Sequence, residues 1–189
     1  MTVIGITGPT GAGKTTALRE LEKLGGCVLD ADAVYHELLK SDTALQGELR
    51  ERFGDMTGED GCFDRKRLGR VVFQNRTALE DLNRIAHRHV VDELRRRLAR
   101  AEQEDCRAAA IDAYALFESG CDKLCDTTVA VLAPAEVRVR RIMDREGIPE
   151  DYARARVAAQ REDDFYRQRC GHILMNDCVG AEEFADKAR

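Results

Sequence analysis

The stretch from Gly5 to Thr16, "GITGPTGAGKTT", decides the fold of this chain. It contains the pattern G-x-x-x-x-G-K-[ST], whose fixed positions are filled by Gly8, Gly13, Lys14 and Thr15. Glycines allow a backbone to approach an anion closely, and the start of the helix that follows presents free amides and a positive dipole end. The stretch therefore predicts a loop that binds nucleotide phosphates, with the lysine on the β- and γ-phosphates.

The residues on either side of this loop support the same interpretation. Thr2–Thr7, "TVIGIT", is β-branched and uncharged, which predicts a short buried strand. After the loop, "KTTALRELEKL" carries apolar residues at helical spacing, and Gly25 and Gly26 end the segment. A strand, a glycine-rich loop and a helix in this order are the context of a P-loop, and they argue against an incidental glycine turn.

The rest of the chain continues to alternate between strands and helices. Four further apolar segments, "CVLDAD", "RAAAIDA", "TTVAVLA" and "HILMND", predict strands. Strands that are apolar throughout indicate a parallel sheet covered on both faces. The region from Asp64 to about Arg100 is helical in pattern and has no strand partner. We therefore predict an α/β fold with a five-stranded parallel sheet and a helical insertion.

The composition limits the function. The chain has 189 residues, of which 43% are apolar and 34% charged, and its net charge is -5, which argues against nucleic-acid binding by the whole surface. The sequence contains no long apolar run, so it predicts no membrane-spanning segment. The seven cysteines are irregularly spaced, so we expect free thiols in a reducing cytosol rather than a disulfide framework.

Three aspartates end predicted strands beside the P-loop. Asp32 can take a proton from an attacking hydroxyl, although it can also serve as a helix cap. For Asp30 a structural and a functional role are equally open. Asp112 is placed as the acid that, together with the hydroxyl of Thr15, holds Mg²⁺; its alternative role is an ordinary turn residue.

Arginines follow the fourth predicted strand in "EVRVRRIMDRE". Arg138, Arg141 and Arg145 are spaced to share one helix face. Guanidinium groups near a transferring phosphoryl group stabilise its developing charge, whereas the alternative is a solvated basic face. A break at Gly147 and a second basic helix follow, which is the pattern of a closing lid.

Taken together, these segments resemble dephospho-CoA kinases over nearly the whole chain. The likeness includes the P-loop, "LDAD", "FDRKRLGRVVF", "LNRIAH", "IDAYALFESGCDKLCD", "VRRIMDRE" and Gln160. It implies a three-layer fold like that of nucleoside monophosphate kinases, with a helical CoA domain and a lid. In this numbering the core would comprise about 1–31, 101–143 and 171–189, the acceptor-binding insertion about 32–100 and the lid about 144–170.

The resemblance also implies a role for each matching residue. Asp32 would be the base on the ribose 3′-hydroxyl, and Arg65 and His87 would lie where dephospho-CoA binds. Arg141 and Arg145 would be arginines of the lid or next to it. Asn176 would lie near the adenine of ATP. The ATP phosphates would be bound by Gly11, Ala12, Gly13, Lys14, Thr15 and Thr16.

The chain departs from the family pattern at four places. His87-Arg88 stands where His-Pro is usual, and Tyr114-Ala115-Leu116 stands where Pro-Leu-Leu is usual. Arg138 replaces a glutamine that is often found, and Glu146 replaces an aspartate. The first two departures touch the acceptor pocket, so they bear more on the choice of acceptor than on kinase activity.

We therefore predict a cytoplasmic, Mg²⁺-dependent kinase that phosphorylates dephospho-CoA with ATP, the last step of CoA biosynthesis. It would need no nucleic acid, membrane or obligatory protein partner. One alternative is a kinase of another small acceptor, such as a nucleoside monophosphate. Another is a nucleotide-binding regulatory switch, although the guanine-reading pattern N-K-x-D does not occur in the sequence.

Overall fold

Five parallel strands form the centre of the protein. The structure is a computed structural model and describes residues 1–58, 63–178 and 180–189. The strands are β1 (Thr2–Thr7), β2 (Cys27–Asp30), β3 (Ala108–Asp112), β4 (Thr127–Leu132) and β5 (His172–Met175). Their order across the sheet is β2-β3-β1-β4-β5, and every pairing is parallel. The predicted fold class and the strand Thr2–Thr7 are confirmed.

Helices connect the strands and cover both faces of the sheet. They are α1 (Lys14–Lys23), α2 (Ala31–Ser41), α3 (Thr43–Phe53), α4 (Arg65–Val72), α5 (Arg76–Gln103), α6 (Ala135–Glu146), α7 (Glu150–Ala158), α8 (Asp163–Arg167) and α9 (Ala181–Ala188). A 3₁₀ turn at Cys121–Leu124 precedes β4. None of the helices in the described ranges is long and apolar enough to span a membrane.

Alternate residues of the strands contribute to two separate cores. Ile111 of β3 packs on the face that also buries Leu45 of α3 and Leu94 of α5. Its neighbour Ala110 lies on the opposite face, in a core with Phe184 of α9. Successive strand residues point to opposite faces, and both faces are covered here, so the strands are apolar throughout. This burial explains why the strands lack an alternating pattern.

The register of the sheet brings the ends of three strands together. Asp112 is the partner of Ile6 in β1 and of Asp30 in β2, and the P-loop leaves β1 directly after Thr7. Ligands of open α/β sheets bind outside these carboxyl ends. The acidic residues predicted from the sequence therefore lie beside the phosphate-binding loop.

The helix cap at this edge is Asp30 and not Asp32. The carboxylate of Asp30 accepts hydrogen bonds from the amides of Asp32 (2.8 Å) and Ala33 (3.0 Å), which fixes the start of α2. Asp32 lies in the first turn of the helix, so the alternative that it acts as the cap is wrong. A cap of this kind contributes about 1 kcal/mol to stability.

The expectation of free thiols is wrong for one pair of cysteines. Cys27 and Cys106 form a disulfide, with their Cα atoms 6.6 Å apart. Cys27 begins β2, and Cys106 lies just before the neighbouring strand β3, so the parallel pairing brings them together. A separation of 79 residues leaves no spacing pattern to reveal this. Four other cysteines are free thiols, namely Cys121, Cys125, Cys170 and Cys178, while Cys62 lies outside the described residues.

Candidate active site

The P-loop has a backbone shape that only glycine can adopt. Gly8 and Gly13 have φ angles of 135° and 106°, a region that side chains disfavour. A Cβ atom at Gly8 would lie 2.1 Å from the carbonyl oxygen of Val131, and one at Gly13 would lie 2.3 Å from the amide nitrogen of Asn176. The glycines of the motif are therefore required both by conformation and by space.

Two polar side chains, Asn176 and Arg141, donate hydrogen bonds to carbonyl oxygens of the loop. Asn176 is 2% exposed; its Nδ2 donates to the carbonyl oxygen of Ala12 (2.8 Å), and its Oδ1 accepts from Nη2 of Arg141 (3.1 Å). Nη1 of Arg141 donates to the carbonyl oxygen of Gly11 (3.3 Å). These contacts fix the carbonyl oxygens of Gly11 and Ala12. The first amides of α1 have no partner within the helix and remain available to an anion.

A cavity of about 310 Å³ opens in front of the loop. Besides the loop backbone, it is lined by the cationic side chains Lys14, Arg141, Arg145 and Arg156. Four cations around one small cavity, in a chain of net charge -5, indicate a site for a highly charged anion. The predicted residues Lys14, Arg141 and Arg145 are thus brought together, as are Gly11 and Thr15.

The cations of this cavity are held by different partners. Nζ of Lys14 donates to the carbonyl oxygen of Gly8 (2.8 Å). Burial lowers the pKa of Lys14, an effect that the charges of Asp112 and Asp32 oppose. Arg145 and Arg156 both pair with the carboxylate of Glu146. Arg156 was not singled out in the sequence, because it lies in a run of arginines that share no motif.

Arg138 behaves differently from the other two arginines of the predicted helix face. It is 7% exposed and does not line the phosphate cavity, and its backbone packs against Gly11. Its Nε and Nη1 atoms are buried and have no hydrogen-bond partner in the described part of the chain. The prediction that all three arginines share one functional face is therefore wrong for Arg138.

The three aspartates form a negative group next to Lys14. Burial raises the pKa of Asp112 to about 6, the charge of Lys14 opposes this rise, and the charges of Asp30 and Asp32 add to it. The carboxylate of Asp32 is exposed and accepts no hydrogen bond from any described residue. Asp32 can therefore accept a hydrogen bond from a ligand, whereas Asp30 is engaged as the cap of α2.

A second cavity, of about 200 Å³, begins at Asp32. Helices α2 and α5 and the segment after β3 line it, and its polar members include Asn83, His87 and Ser119. Burial lowers the pKa of His87, against the effect of Glu118, so the imidazole is neutral at pH 7. Tyr114, one of the departures noted above, is 49% exposed at this cavity. Asp32 thus lines a nearly neutral cavity, and its charge acts on Lys14, which lines the cationic one.

Arg65 does not line the cavity at Asp32. It lines a larger cavity of about 900 Å³. This cavity shares Tyr35 and Leu82 with the one at Asp32, so the two cavities are adjacent. Its wall is largely apolar, with Leu68, Val72, Phe73 and Leu79. Arg88 does not line the Asp32 cavity and pairs instead with Glu48.

The described residues offer few ligands for a metal ion. Within the described residues, no group of three or more His, Cys, Asp or Glu side chains could hold one. Thr15 and Asp112 supply oxygen atoms, the donors that Mg²⁺ prefers, and Mg²⁺ commonly takes one or two protein ligands together with phosphates and water. Burial is the main cause of the raised pKa of Asp112, the charges of Asp30 and Asp32 add to it, and a divalent cation would favour the ionised carboxylate. These residues therefore fit a magnesium ion brought in by a bound nucleotide.

The comparison with protein families places this geometry in a known group. A family model described as "Dephospho-CoA kinase" matches residues 2–182. The chain belongs to the dephospho-CoA kinase family. Relatives with that name from Corynebacterium diphtheriae and Corynebacterium glutamicum are 34% and 36% identical to it. The alignments cover 93% and 92% of this chain, and 88% and 87% of the relatives.

Solved structures agree with the fold. A crystal structure from Thermus thermophilus matches with a TM-score of 0.80 at 33% identity, and covers 99% of this chain and 93% of that one. The dephospho-CoA kinase of Campylobacter jejuni, at 22% identity, has a TM-score of 0.72 over 98% of this chain and 92% of that one, which supports the fold. A shikimate kinase from Acinetobacter baumannii shares only the fold, with a TM-score of 0.51 at 18% identity over 99% of this chain and 90% of that one.

Membership of the dephospho-CoA kinase family confirms the prediction of a kinase connected with CoA biosynthesis, and it implies the use of a nucleotide. It leaves the role of each site residue to be tested. Asn176 illustrates this point: both ends of its buried amide are used inside the protein, and its contact with adenine stays a prediction. Its hydrogen bonds to the loop could not be foreseen from sequence, because 164 residues separate it from Ala12.

Proposed function

We propose that this protein transfers the γ-phosphoryl group of ATP to the ribose 3′-hydroxyl of dephospho-CoA, which completes coenzyme A in the cytoplasm. One observation carries the proposal. The carboxylate of Asp32, which has no partner among the described residues, is related to two cavities, one lined by four cations and one nearly neutral. Its charge acts on Lys14, which lines the first cavity, while the side chain itself lines the second. A carboxylate base that is close to both a phosphate site and an acceptor site is what a kinase of an alcohol requires.

The phosphates of ATP are bound by the loop from Gly11 to Thr16 and by the surrounding cations. In phosphoryl transfer the charge spreads over the oxygens of the moving group, so positioning and electrostatic stabilisation supply most of the catalysis. Lys14 and Arg145 lie where they would stabilise this charge. Arg141 contributes a second effect, because it also holds the loop in shape.

Asp32 acts on the acceptor hydroxyl. The hydroxyl donates a hydrogen bond to the carboxylate, which orients its oxygen toward the γ-phosphorus. The bond from this oxygen to phosphorus forms as the bond between phosphorus and the β,γ-bridging oxygen breaks, and the proton passes to Asp32. ADP leaves with the bridging oxygen. His87, neutral at pH 7, lines the same cavity and would bind the acceptor through hydrogen bonds rather than charge.

Thr15 and Asp112 are the residues that would hold Mg²⁺. Bound with ATP, the ion neutralises negative charge on the phosphates. Thr15, in the first turn of α1, lines the phosphate cavity, and Asp112 ends the strand next to β1, where its charge acts on Lys14 of that cavity. Asp112 must be ionised to serve as a ligand, and the cation itself favours ionisation.

The proposal divides the chain into a core (about 1–31, 101–143 and 171–189), an acceptor-binding insertion (about 32–100) and a lid (about 144–170). Helix α7 of the lid packs through Ala153 and Val157 against Val139 and Ile142 of α6, which belong to the core. Nη groups of Arg145 and Arg156 are tied to the same carboxylate of Glu146. Closure would carry both guanidinium groups toward the transferred phosphoryl group.

A panel of acceptors tests the proposed reaction. The protein is incubated with Mg-ATP and either dephospho-CoA, a nucleoside monophosphate or no acceptor, and products are identified by mass. We expect ADP formation only with dephospho-CoA, together with a product heavier by one phosphoryl group. Phosphorylation of the nucleoside monophosphate instead would assign another acceptor. ATP hydrolysis that ignores the acceptor would indicate a nucleotide switch.

A further inference from the structure

A third cavity lies beyond the proposed acceptor site, between α2, α3 and the start of α4. We call it the α2–α3 cavity. Its volume is about 460 Å³. It is lined by the basic side chains His36, Lys40, Arg50 and Arg65, together with Leu39, Gln46, Thr57 and Phe63. It shares the lining residues Phe63 and Arg65 with the wide apolar cavity, so it lies next to that cavity.

The basic groups of the α2–α3 cavity are poorly neutralised. No Asp or Glu is among its described lining residues. Lys40 forms no ion pair or hydrogen bond with any residue that the structure describes. Arg50 is 3.9 Å from Asp55, and both side chains are more than half exposed, so this pair contributes little. Unpaired cations gathered around one cavity repel each other, and a bound anion would remove that repulsion.

The contact between Arg65 and His36 also lacks a counter-charge. Nη2 of Arg65 lies 3.3 Å from Nε2 of His36, and no carboxylate of the described residues bridges the two. Nδ1 of His36 is buried and has no hydrogen-bond partner within the same residues. Buried polar atoms are normally paired, so an unpaired one calls for an explanation. These features together indicate a site built for an anion.

The position of the cavity along α2 sets the kind of anion. His36 and Lys40 follow Asp32 by one and two helical turns, which corresponds to about 6 Å and about 12 Å along the helix axis. In a nucleotide, five covalent bonds of about 1.5 Å each separate the 3′-oxygen from the first phosphorus on the 5′-oxygen. With the 3′-hydroxyl on Asp32, a 5′-diphosphate would therefore reach His36 and Arg65 first and Lys40 and Arg50 next.

We propose that the α2–α3 cavity binds the 5′-diphosphate of the acceptor, with Arg50 and Lys40 as specificity-determining residues. This inference rests on the proposed function. Guanidinium groups match phosphate oxygens in pairs, and a lysine adds a point charge, so the four basic side chains suit two linked phosphates. Acceptors that lack a 5′-diphosphate would lose these contacts while keeping those with Asp32. The cavity thereby distinguishes dephospho-CoA from a nucleoside.

Equilibrium binding tests the inference directly. A non-hydrolysable ATP analogue fills the phosphate cavity, and calorimetry then measures the binding of dephospho-CoA and of adenosine, which lacks the diphosphate. We expect Lys40→Gln and Arg50→Gln each to weaken dephospho-CoA binding by about tenfold, the loss of one hydrogen bond to a charged group. Adenosine binding should change less than about twofold. In steady-state transfer the KM for dephospho-CoA should rise in parallel, with a much smaller change in kcat.

A matched variant separates a local effect from a general loss of charge. Arg95→Gln removes an exposed arginine of α5 that pairs with Asp92, away from the cavity. Arg95→Gln should bind dephospho-CoA as the parent protein does. Thermal melts of all three variants show whether they are folded. Equal affinity for dephospho-CoA in the parent, Lys40→Gln and Arg50→Gln would overturn the inference.

Inorganic pyrophosphate distinguishes failure of this inference from failure of the proposed function. If dephospho-CoA is phosphorylated normally but the variants bind it unchanged, the cavity is not its diphosphate site and the reaction still stands. If dephospho-CoA is not phosphorylated, yet pyrophosphate binds beside the ATP analogue and loses affinity in Lys40→Gln, the cavity binds an anion other than this acceptor. That result would refute both the acceptor and its diphosphate site.

Discussion

The two ends of the active site are built in different ways. At the phosphate end, one continuous loop supplies most contacts, and its carbonyl oxygens are held by Arg141 and Asn176. At the acceptor end, the walls come from α2, α4, α5 and the segment after β3, which are far apart in the chain. A local loop can be recognised from a short pattern, whereas a cavity assembled by tertiary packing cannot. The phosphate end is therefore predictable from a local pattern, and the acceptor end depends on tertiary packing.

The charged groups differ in the same way. Arg141 donates to oxygen atoms of Gly11, Ala12, Asn176 and Cys178, and Lys14 donates to Gly8, so both side chains are fixed before a ligand arrives. Asp32 and Lys40 have no such partners among the described residues. Both side chains can therefore form hydrogen bonds or ion pairs with the acceptor. Variants at the two ends should therefore separate effects on chemistry, on nucleotide binding and on stability.

The largest effect is expected where the two ends meet, at Asp32. Asp32→Asn keeps the size of the side chain and removes the base. We expect kcat for transfer to dephospho-CoA to fall by about two to four powers of ten. The melting temperature and the affinity for ATP should stay near those of the parent, because Asp32 supports neither the helix cap nor the loop. Steady-state kinetics and thermal melts measure both quantities.

Asp30→Asn is the matched control for this variant. Asparagine caps helices about as well as aspartate, so the variant should keep both α2 and most of its activity. A kcat for Asp32→Asn close to that of the parent would remove Asp32 from the chemistry and leave positioning as the main source of catalysis. Equal losses in both variants would indicate a shared effect of negative charge on Asp112.

The contrast between a local loop and a cavity formed by tertiary packing also explains how much of this site the sequence could predict. The loop was recognised residue by residue, because its function depends on glycines and a lysine at fixed spacing. Asp32 was placed correctly beside the loop, but sequence could not show that its neighbour Asp30 takes the capping role. The choice between them depends on which carboxylate points back to the amides of the first turn. That orientation is a tertiary property.

Other features have no local pattern at all. Cys27 and Cys106 meet only because β2 and β3 are neighbours in the sheet. The α2–α3 cavity joins Lys40 and Arg50 to Arg65, from three different helices. The fold class was predictable because strands and helices each bury their own apolar pattern. Contacts between polar side chains that are far apart in the sequence leave no periodic pattern, so they cannot be predicted from the sequence.

A smaller effect should distinguish the two arginines of the phosphate cavity. Arg145 pairs only with its neighbour Glu146 among the described residues, so Arg145→Ala should act mainly on the closed complex. We expect its kcat to fall by roughly a hundredfold with ATP affinity little changed. Arg141→Ala removes the support of the loop and should also weaken ATP binding and lower the melting temperature. Nucleotide titrations, kinetics and melts compare the two variants.

Arg140→Ala provides the reference for that comparison, since Arg140 is exposed on the same helix α6 and does not line the phosphate cavity. Its kinetics and melting temperature should match those of the parent. If all three alanine variants behave alike, the arginines form an ordinary solvated face and the lid does not contribute to catalysis. If Arg141→Ala retains full affinity for ATP, the loop does not depend on its hydrogen bonds.

The smallest expected effect concerns Arg138. Its replacement should raise stability, whereas the variants above lower activity or stability. Other arginines near the loop have partners, but Nε and Nη1 of Arg138 are buried without any in the described residues. Burying an unpaired charge costs free energy, and exchanging buried charge for an apolar side chain of similar size is often stabilising. We therefore expect Arg138→Met to raise the free energy of unfolding by about 1 to 3 kcal/mol. Denaturant melts measure it, with Arg140→Met as the exposed control.

The activity of Arg138→Met then shows why a costly charge is present in α6. If the variant is more stable and fully active, the guanidinium serves no step of the reaction, and the two ends of the site function without it. If it is more stable but slower, the charge of Arg138 acts on the phosphate end through the backbone of Gly11, against which it packs. A less stable variant would contradict the prediction, because it would mean that the stem of Arg138 contributes more by packing than its charge costs.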